Sequence, residues 1–163
     1  MESNSGLDIF IAASVKYPEL NAVKYQADKE RISLELALKS IIDHKSFESF
    51  IFKLKEAQNL YYQLTANKPE LLNIGYEHNS GFTFICFERD VKTLTEGEIE
   101  IFAQIAKETF AELLLMDESV ARAKDSEKSK IKKNLLRKIN RNYNGSTNFF
   151  SYREEGRVFV FNN

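Results

Sequence analysis

The segment RISLELALK, residues 31–39, alternates apolar and polar side chains along its length. A period of two places successive side chains on opposite faces of an extended strand. The face that this pattern makes apolar consists of Ile32, Leu34, Leu36 and Leu38. Strands that are half buried in this way are typical of antiparallel sheets, which pack one face on a core. The pattern therefore predicts an antiparallel sheet with a covering layer on one side.

The neighbouring residues predict a β-hairpin followed by a helix. The preceding segment AVKYQA, residues 22–27, also alternates, and DKE supplies a short turn between the two strands. Between Ser46 and Pro69 the apolar spacing changes to i, i+3, i+4, i+7, which is typical of an amphipathic helix. The apolar positions of this helix are Phe47, Phe50, Ile51, Leu54, Ala57, Tyr61 and Leu64.

The same order of elements recurs further along the chain. LLNIGYE, residues 71–77, and FTFICFE, residues 82–88, are predicted strands joined by the turn residues HNSG. Thr95 and Glu98 have the spacing of a capping box and open a second amphipathic helix. The order ββαββα predicts an α+β fold, a four-stranded antiparallel sheet with both helices packed on one face. A short helix is expected between residues 7 and 20.

The predicted strand at residues 82–88 is rich in aromatic residues, and its alternation predicts which of its side chains are buried. Alternation places Cys86 with Phe82 and Phe84, and we expect this side to be buried, with the cysteine behaving as a small hydrophobic residue. Ile85 and Phe87 would then lie on the opposite face of the sheet. Exposed apolar residues there would predict that the C-terminal part of the chain, or a second subunit, covers that face.

Charge divides the chain into two parts. Residues 1–123 contain 13 Lys and Arg against 20 Asp and Glu, a net charge of −7, whereas residues 124–163 contain 10 against 4, a net charge of +6. We therefore divide the protein into an acidic ββαββα domain with a short N-terminal helix, residues 1–118, and an extension, residues 119–163. The extension is predicted to comprise a basic helix and a terminal β-hairpin.

Positive charge is most concentrated in residues 128–141, which carry seven basic side chains and no acidic one. Residues 117–142 lack Gly and Pro and suit a long helix. On such a helix most basic residues lie opposite an apolar seam. The seam consists of Ile131, Leu135, Leu136 and Ile139.

A basic helix of this kind can neutralise nucleic-acid phosphates. We therefore hypothesise a small, non-enzymatic, cytoplasmic binding protein that contacts RNA or a ribonucleoprotein. The predicted phosphate-binding residues are Lys130, Lys133, Arg137, Lys138, Arg141, Arg153 and Arg157.

Other roles for the basic helix remain open. Its seam can pack on the acidic domain of the same chain, which would leave the lysines solvated. It can dock on a neighbouring subunit, in which case the protein is an interaction or homo-oligomerisation module and a homodimer. It can also bind an acidic protein, or lie on a membrane surface, although four aliphatic residues without Trp or Phe make a weak membrane anchor.

The last segment, NFFSYREEGRVFVFNN, residues 148–163, is predicted to be a terminal hairpin. A two-stranded hairpin is marginally stable by itself in water, so it must dock on another part of the protein. Alternation separates Val158 and Val160 from Phe159 and Phe161. One pair can therefore be buried while the other remains available for contacts such as base stacking.

No motif in the sequence predicts catalysis, a cofactor or a metal site. His44 and His78 lie far apart and lack metal-ligand spacing. Glu88 and Asp90 are candidates for acid–base work or Mg²⁺ binding, but such residues at the end of a strand more often cap a turn or form a surface ion pair, and we favour that role. An enzyme is therefore the third alternative. No apolar run approaches the roughly 20 residues of a membrane-spanning helix, and a single cysteine without a basic leader favours the cytoplasm.

Overall fold

The computed structural model describes residues 5–116, 148–154 and 156–162. These residues form three α-helices and six β-strands. In chain order the elements are α1 (Ser5–Lys16), β1 (Ala22–Gln26), β2 (Arg31–Leu38), α2 (His44–Thr65), β3 (Leu72–Asn79), β4 (Phe82–Asp90), α3 (Glu96–Phe110), a 3₁₀ turn (Ala111–Leu113), β5 (Asn148–Glu154) and β6 (Arg157–Asn162).

All six strands belong to one antiparallel sheet in the order β3-β4-β2-β1-β5-β6. The α+β class and the antiparallel pairing agree with the prediction from sequence. The predicted four-stranded sheet is too small, because the terminal hairpin adds β5 to the free edge of β1. This pairing supplies the contacts that a hairpin lacks by itself. The predicted basic helix lies outside the described residues.

The helices pack on one face of the sheet, which we call the covered face. Helix α1 contacts β1 and β5, and α2 packs beside α3. The ring of Phe87 on β4 stacks on Phe102 of α3 with centroids 4.5 Å apart, and both residues are fully buried. The other buried apolar residues that the strands contribute to this face are Val23, Tyr25, Ile32, Leu34, Leu36, Leu38, Ile85 and Phe149.

The two faces of β4 are opposite to the prediction from sequence. Phe87 lies opposite Leu34 and Ile85 lies opposite Leu36, so these residues of β4 belong to the covered face. Cys86 therefore lies on the other face, where it is exposed. The prediction was wrong because β4 carries apolar residues on both faces, which leaves its period-two pattern without a unique phase. Strand β2 is apolar on one face, and pairing with it decides the orientation of β4.

Candidate interaction surface

The face of the sheet opposite the helices, which we call the open face, is not covered by any helix of the described chain. Two neighbouring rows of side chains cross this face from the β3 edge to the β6 edge. They are Asn73, Glu88, Ser33, Lys24, Phe150 and Phe161 in one row, and Gly75, Cys86, Glu35, Ala22, Tyr152 and Phe159 in the next. All of these residues except Ala22 are at least partly exposed. The open face is therefore a continuous surface that crosses all six strands.

Four aromatic side chains of the terminal hairpin lie together on the open face, and we call this cluster the aromatic patch. The ring of Tyr152 stacks on Phe159 with centroids 5.0 Å apart and on Phe161 with centroids 5.8 Å apart. The fourth member is Phe150, which is 39% exposed, while Phe161 is 48% exposed. Cross-strand aromatic pairs stabilise a hairpin. Exposed clusters of this kind are also typical of binding surfaces.

Three carboxylates surround Cys86 on the part of the open face formed by β2, β3 and β4. Burial raises the pKa of Glu35, and the charge of Glu77 adds to this rise. A hydrogen bond of 2.9 Å from the Asn21 amide to Glu35 Oε2 acts in the opposite direction. Cys86 is exposed, but desolvation by the surrounding sheet still raises the pKa of its thiol. A hydrogen bond with Ser33 acts to lower this pKa, and the charges of Glu88, Glu35 and Glu77 add to the rise. The thiol is therefore protonated at neutral pH, and this region favours a positively charged partner.

The structure describes two of the seven residues predicted to contact phosphate. Arg153 is half-buried, and its guanidinium donates hydrogen bonds to the carbonyl oxygens of Leu20 at 2.9 Å and Ala13 at 3.4 Å. This side chain ties the hairpin to α1 and to the loop that follows α1. Arg157 is exposed at the start of β6. The residues Lys130, Lys133, Arg137, Lys138 and Arg141 lie outside the described part of the chain.

A buried ion cluster, which no sequence pattern indicates, lies on the covered face. Arg89 at the end of β4 is fully buried, and its guanidinium donates two hydrogen bonds to the Glu98 carboxylate, from Nε at 2.6 Å and from Nη2 at 2.8 Å. Its Nη1 pairs with the carboxylate of Asp90. The hydroxyl of Tyr62 donates a third hydrogen bond to Glu98, at 3.0 Å. The cluster therefore fastens β4 to both α2 and α3.

The Asp90 carboxylate in this cluster organises the loops at the end of β4. Its Oδ1 accepts hydrogen bonds from the backbone N–H groups of Glu70 and Leu71, and its Oδ2 accepts from the N–H and the hydroxyl of Thr93. Burial acts to raise the pKa of Asp90, but these hydrogen bonds and the charge of Arg89 outweigh it and lower the pKa. Charges that are fully paired in this way have a structural role, and Asp90 is not available as an acid–base partner of Glu88.

The two histidines are also held by neighbouring residues. His44 makes a hydrogen bond of 3.1 Å with the Tyr76 hydroxyl and contacts Glu48 at 2.9 Å, and His78 bonds the carbonyl oxygen of Ile42 at 3.1 Å. Among the residues that the structure describes, no group of three or more His, Cys, Asp or Glu side chains could hold a metal ion.

No helix within the described ranges is long and apolar enough to cross a membrane. Comparisons with protein-family models, curated proteins and solved structures found no match to this chain. Function must therefore be inferred from the open face and from the distribution of charge.

Proposed function

We propose that this protein is a non-enzymatic protein-interaction module whose open face binds a basic, partly apolar segment. The observation that carries the proposal is the aromatic patch. The hairpin is already anchored on the covered face, where Phe149 is 1% exposed. Phe150 and Phe161 point to the other side and keep much of their apolar surface exposed. Apolar surface of this kind is available to a partner.

The chemistry of the open face fits a partner that is basic and partly apolar. The three carboxylates lie on β2, β3 and β4, and the aromatic patch lies on β5 and β6, so one elongated segment can contact both. Residues 128–141 of this chain combine seven positive charges with apolar residues such as Leu135 and Ile139. We therefore propose residues 128–141 as the segment that binds the open face.

The positions of the chain ends support this assignment. Leu114 pairs with Leu38 at the end of β2, so the described chain stops at Met116 near that end of the sheet. It resumes at Asn148, which lies opposite Gln26 at the far end of β1. Met116 and Asn148 therefore lie near opposite ends of the sheet, and residues 117–147 are long enough to join these ends across the open face, as proposed.

The single cysteine provides a native reporter for this proposal. Cys86 lies among the three carboxylates on the open face, so a segment bound there slows the reaction of its thiol with a disulfide reagent. The double substitution Lys133→Glu and Arg137→Glu weakens charge attraction to the open face. We expect the thiol of this variant to react severalfold faster than that of the wild-type protein. Loss of nearby positive charge by itself would slow the reaction of the Cys86 thiol, because it disfavours the thiolate. A faster reaction would therefore report that the open face around Cys86 is no longer covered.

The matched control reverses two exposed lysines of α2 on the other side of the molecule, Lys53→Glu and Lys55→Glu. It changes the net charge of the protein equally and should leave Cys86 reactivity unchanged. Equal reactivity in the wild-type protein and in the variant with substitutions at Lys133 and Arg137 would refute the assignment of residues 128–141 to the open face.

A second candidate function is RNA or ribonucleoprotein binding, which is favoured by the charge of residues 128–141. In this case Lys130, Lys133, Arg137, Lys138 and Arg141 contact phosphates, and the exposed Arg157 assists. Phosphate contacts give affinity with little sequence specificity and a steep dependence on salt. Fluorescence anisotropy with single-stranded and structured RNA tests this function. Micromolar binding that weakens with salt and with Lys133→Glu/Arg137→Glu would support it, and salt-independent or absent binding would exclude it.

A further inference from the structure

Within the described part of the chain, the outer edge of β6 is an unpaired strand edge. Strand β6 ends the sheet, and no strand of the described chain lies beyond it. Its segment VFVF, residues 158–161, is apolar throughout and has no charge. The opposite edge of the sheet, β3, carries the exposed polar residues Asn73, Glu77 and His78. Polar and charged residues disfavour association between strand edges, so β3 is better protected than the central segment of β6, where Arg157 and Asn162 lie only at the two ends.

The hydrogen bonds of β5 show which backbone groups of β6 are free to pair. Arg153 donates its N–H to the carbonyl oxygen of Asn21 at 3.1 Å, so its backbone groups point toward β1. This direction alternates along an antiparallel strand, so Tyr152 directs its backbone groups to Phe159 of β6. The residues of β6 whose N–H and C=O groups point to the outside of the sheet are therefore Val158, Val160 and Asn162.

We infer that a second copy of this chain pairs with β6 along this edge, antiparallel and about a two-fold axis. The backbone groups of Val158, Val160 and Asn162 point outward, so these residues must form the hydrogen-bonded pairs. All three residues pair when Val160 lies opposite the partner subunit's Val160. Val158 then lies opposite the partner subunit's Asn162, which gives about six backbone hydrogen bonds in total. Phe159 faces the partner subunit's Phe161 in a non-hydrogen-bonded pair, where side chains are closest.

The strand has the self-complementarity that a two-fold pairing requires. Apolar residues meet apolar residues at the centre of the paired segment, and no like charges lie opposite one another. The charged residue of β6, Arg157, lies at opposite ends of the segment in the two copies. The two aromatic patches become one strip that crosses the joined sheets. The edge that would otherwise promote aggregation is closed by this pairing.

The mass of the full-length chain in solution, measured by light scattering or sedimentation equilibrium, tests the dimer. The wild-type protein should have twice the chain mass of 18.9 kDa. Val160→Pro removes an N–H that faces outward, which an edge strand tolerates, and should yield a monomer that keeps its circular dichroism spectrum. Val160→Thr preserves both the N–H and the branched side chain and should remain a dimer. A wild-type monomer, or a dimer unaffected by Val160→Pro, would overturn the inference.

Cross-linking tests the register even where the proline variant fails to fold. In a Cys86→Ser background, Val160→Cys places two thiols opposite each other and should give a covalent dimer on mild oxidation. Val158→Cys is the matched control, because four residues of strand separate it from its symmetry mate, roughly 13 Å. Equal cross-linking of the two variants would contradict the register. The dimer proposal and the open-face proposal can fail independently. The mass in solution tests the dimer, and the reactivity of Cys86 tests binding at the open face.

Discussion

Replacing Glu98 with glutamine tests whether the buried ion cluster holds the fold together. The Glu98 carboxylate is fully buried and accepts two hydrogen bonds from Arg89 and one from Tyr62. Glutamine has nearly the same shape, but it carries no charge and its NH₂ group is a donor. Glu98→Gln therefore leaves the buried guanidinium with Asp90 as its remaining carboxylate partner, and it turns one hydrogen bond into a contact between two donors.

The expected loss of stability follows from the burial of the cluster. Removing one partner of a buried ion pair costs about 3–5 kcal/mol, because the remaining charge stays desolvated. Asp90 still compensates part of the Arg89 charge, so we expect a value near the lower limit, about 3 kcal/mol. For a protein of this size each kcal/mol corresponds to about 2–4 °C in Tm, which gives a decrease of about 6–12 °C. Calorimetry and urea unfolding at pH 7 measure both quantities.

Glu100→Gln is the matched control for this experiment. It makes the same chemical change on the same helix, two residues away, at a position that is exposed. Exposed substitutions of this kind change the free energy of unfolding by about 0.5 kcal/mol or less. If Glu98→Gln and Glu100→Gln lowered stability by the same small amount, the conclusion that the cluster fastens β4 to the helices would be wrong.

Three further substitutions test smaller features of the fold. Gln58 is 1% exposed, and neither polar atom of its amide has a hydrogen-bond partner among the described residues, so Gln58→Met should raise the free energy of unfolding in urea by about 1–3 kcal/mol. The pKa of Glu35 is higher in the folded protein than in the unfolded chain, where it is about 4.3. The free energy of unfolding therefore falls as the pH rises from about 4.3 through the pKa of the folded state. Glu35→Gln should therefore exceed the wild-type stability at pH 7 and equal it below that pH range; a difference that persists in acid would contradict this cause. Ala66 caps α2 with a φ of 54°, so Ala66→Gly should raise Tm through a gain of about 0.5–1 kcal/mol.

The elements with a single apolar face could be predicted from the sequence. Strand β2 alternates from Arg31 to Leu36, and its apolar residues are all buried, including Ala37 on the other face. The period of α2 correctly identifies Phe47, Phe50 and Leu54 as core residues. The same period also includes Leu64, which is 78% exposed. The helical period predicts on which side of the helix a residue lies. It does not predict whether other parts of the protein cover that side along the whole helix.

The arrangement at the end of β4 could not be predicted from local patterns. Thr95 does cap α3, and its hydroxyl accepts a hydrogen bond of 3.3 Å from the N–H of Glu98. In a complete capping box the Glu98 side chain would return to the backbone of the cap. It binds Arg89 instead, because a buried guanidinium requires a carboxylate. This partner choice depends on how β4 packs beneath α3, and that packing is not a local property of the sequence.

The terminal hairpin shows why the open face, rather than the buried cluster, carries the functional proposals. Its covered side is sufficient to anchor it: the Phe149 ring lies 5.8 Å from that of Phe10, and the Ser151 hydroxyl lies 2.6 Å from that of Ser14. A hairpin that needed only this anchor could carry polar residues on its other side, as β2 does. It carries the aromatic patch instead. Cross-strand stacking accounts for part of the patch, but it leaves Phe150 39% and Phe161 48% exposed. The segment proposed to bind the open face would bury them, and the proposed second copy of the chain would pair with the β6 edge beside them.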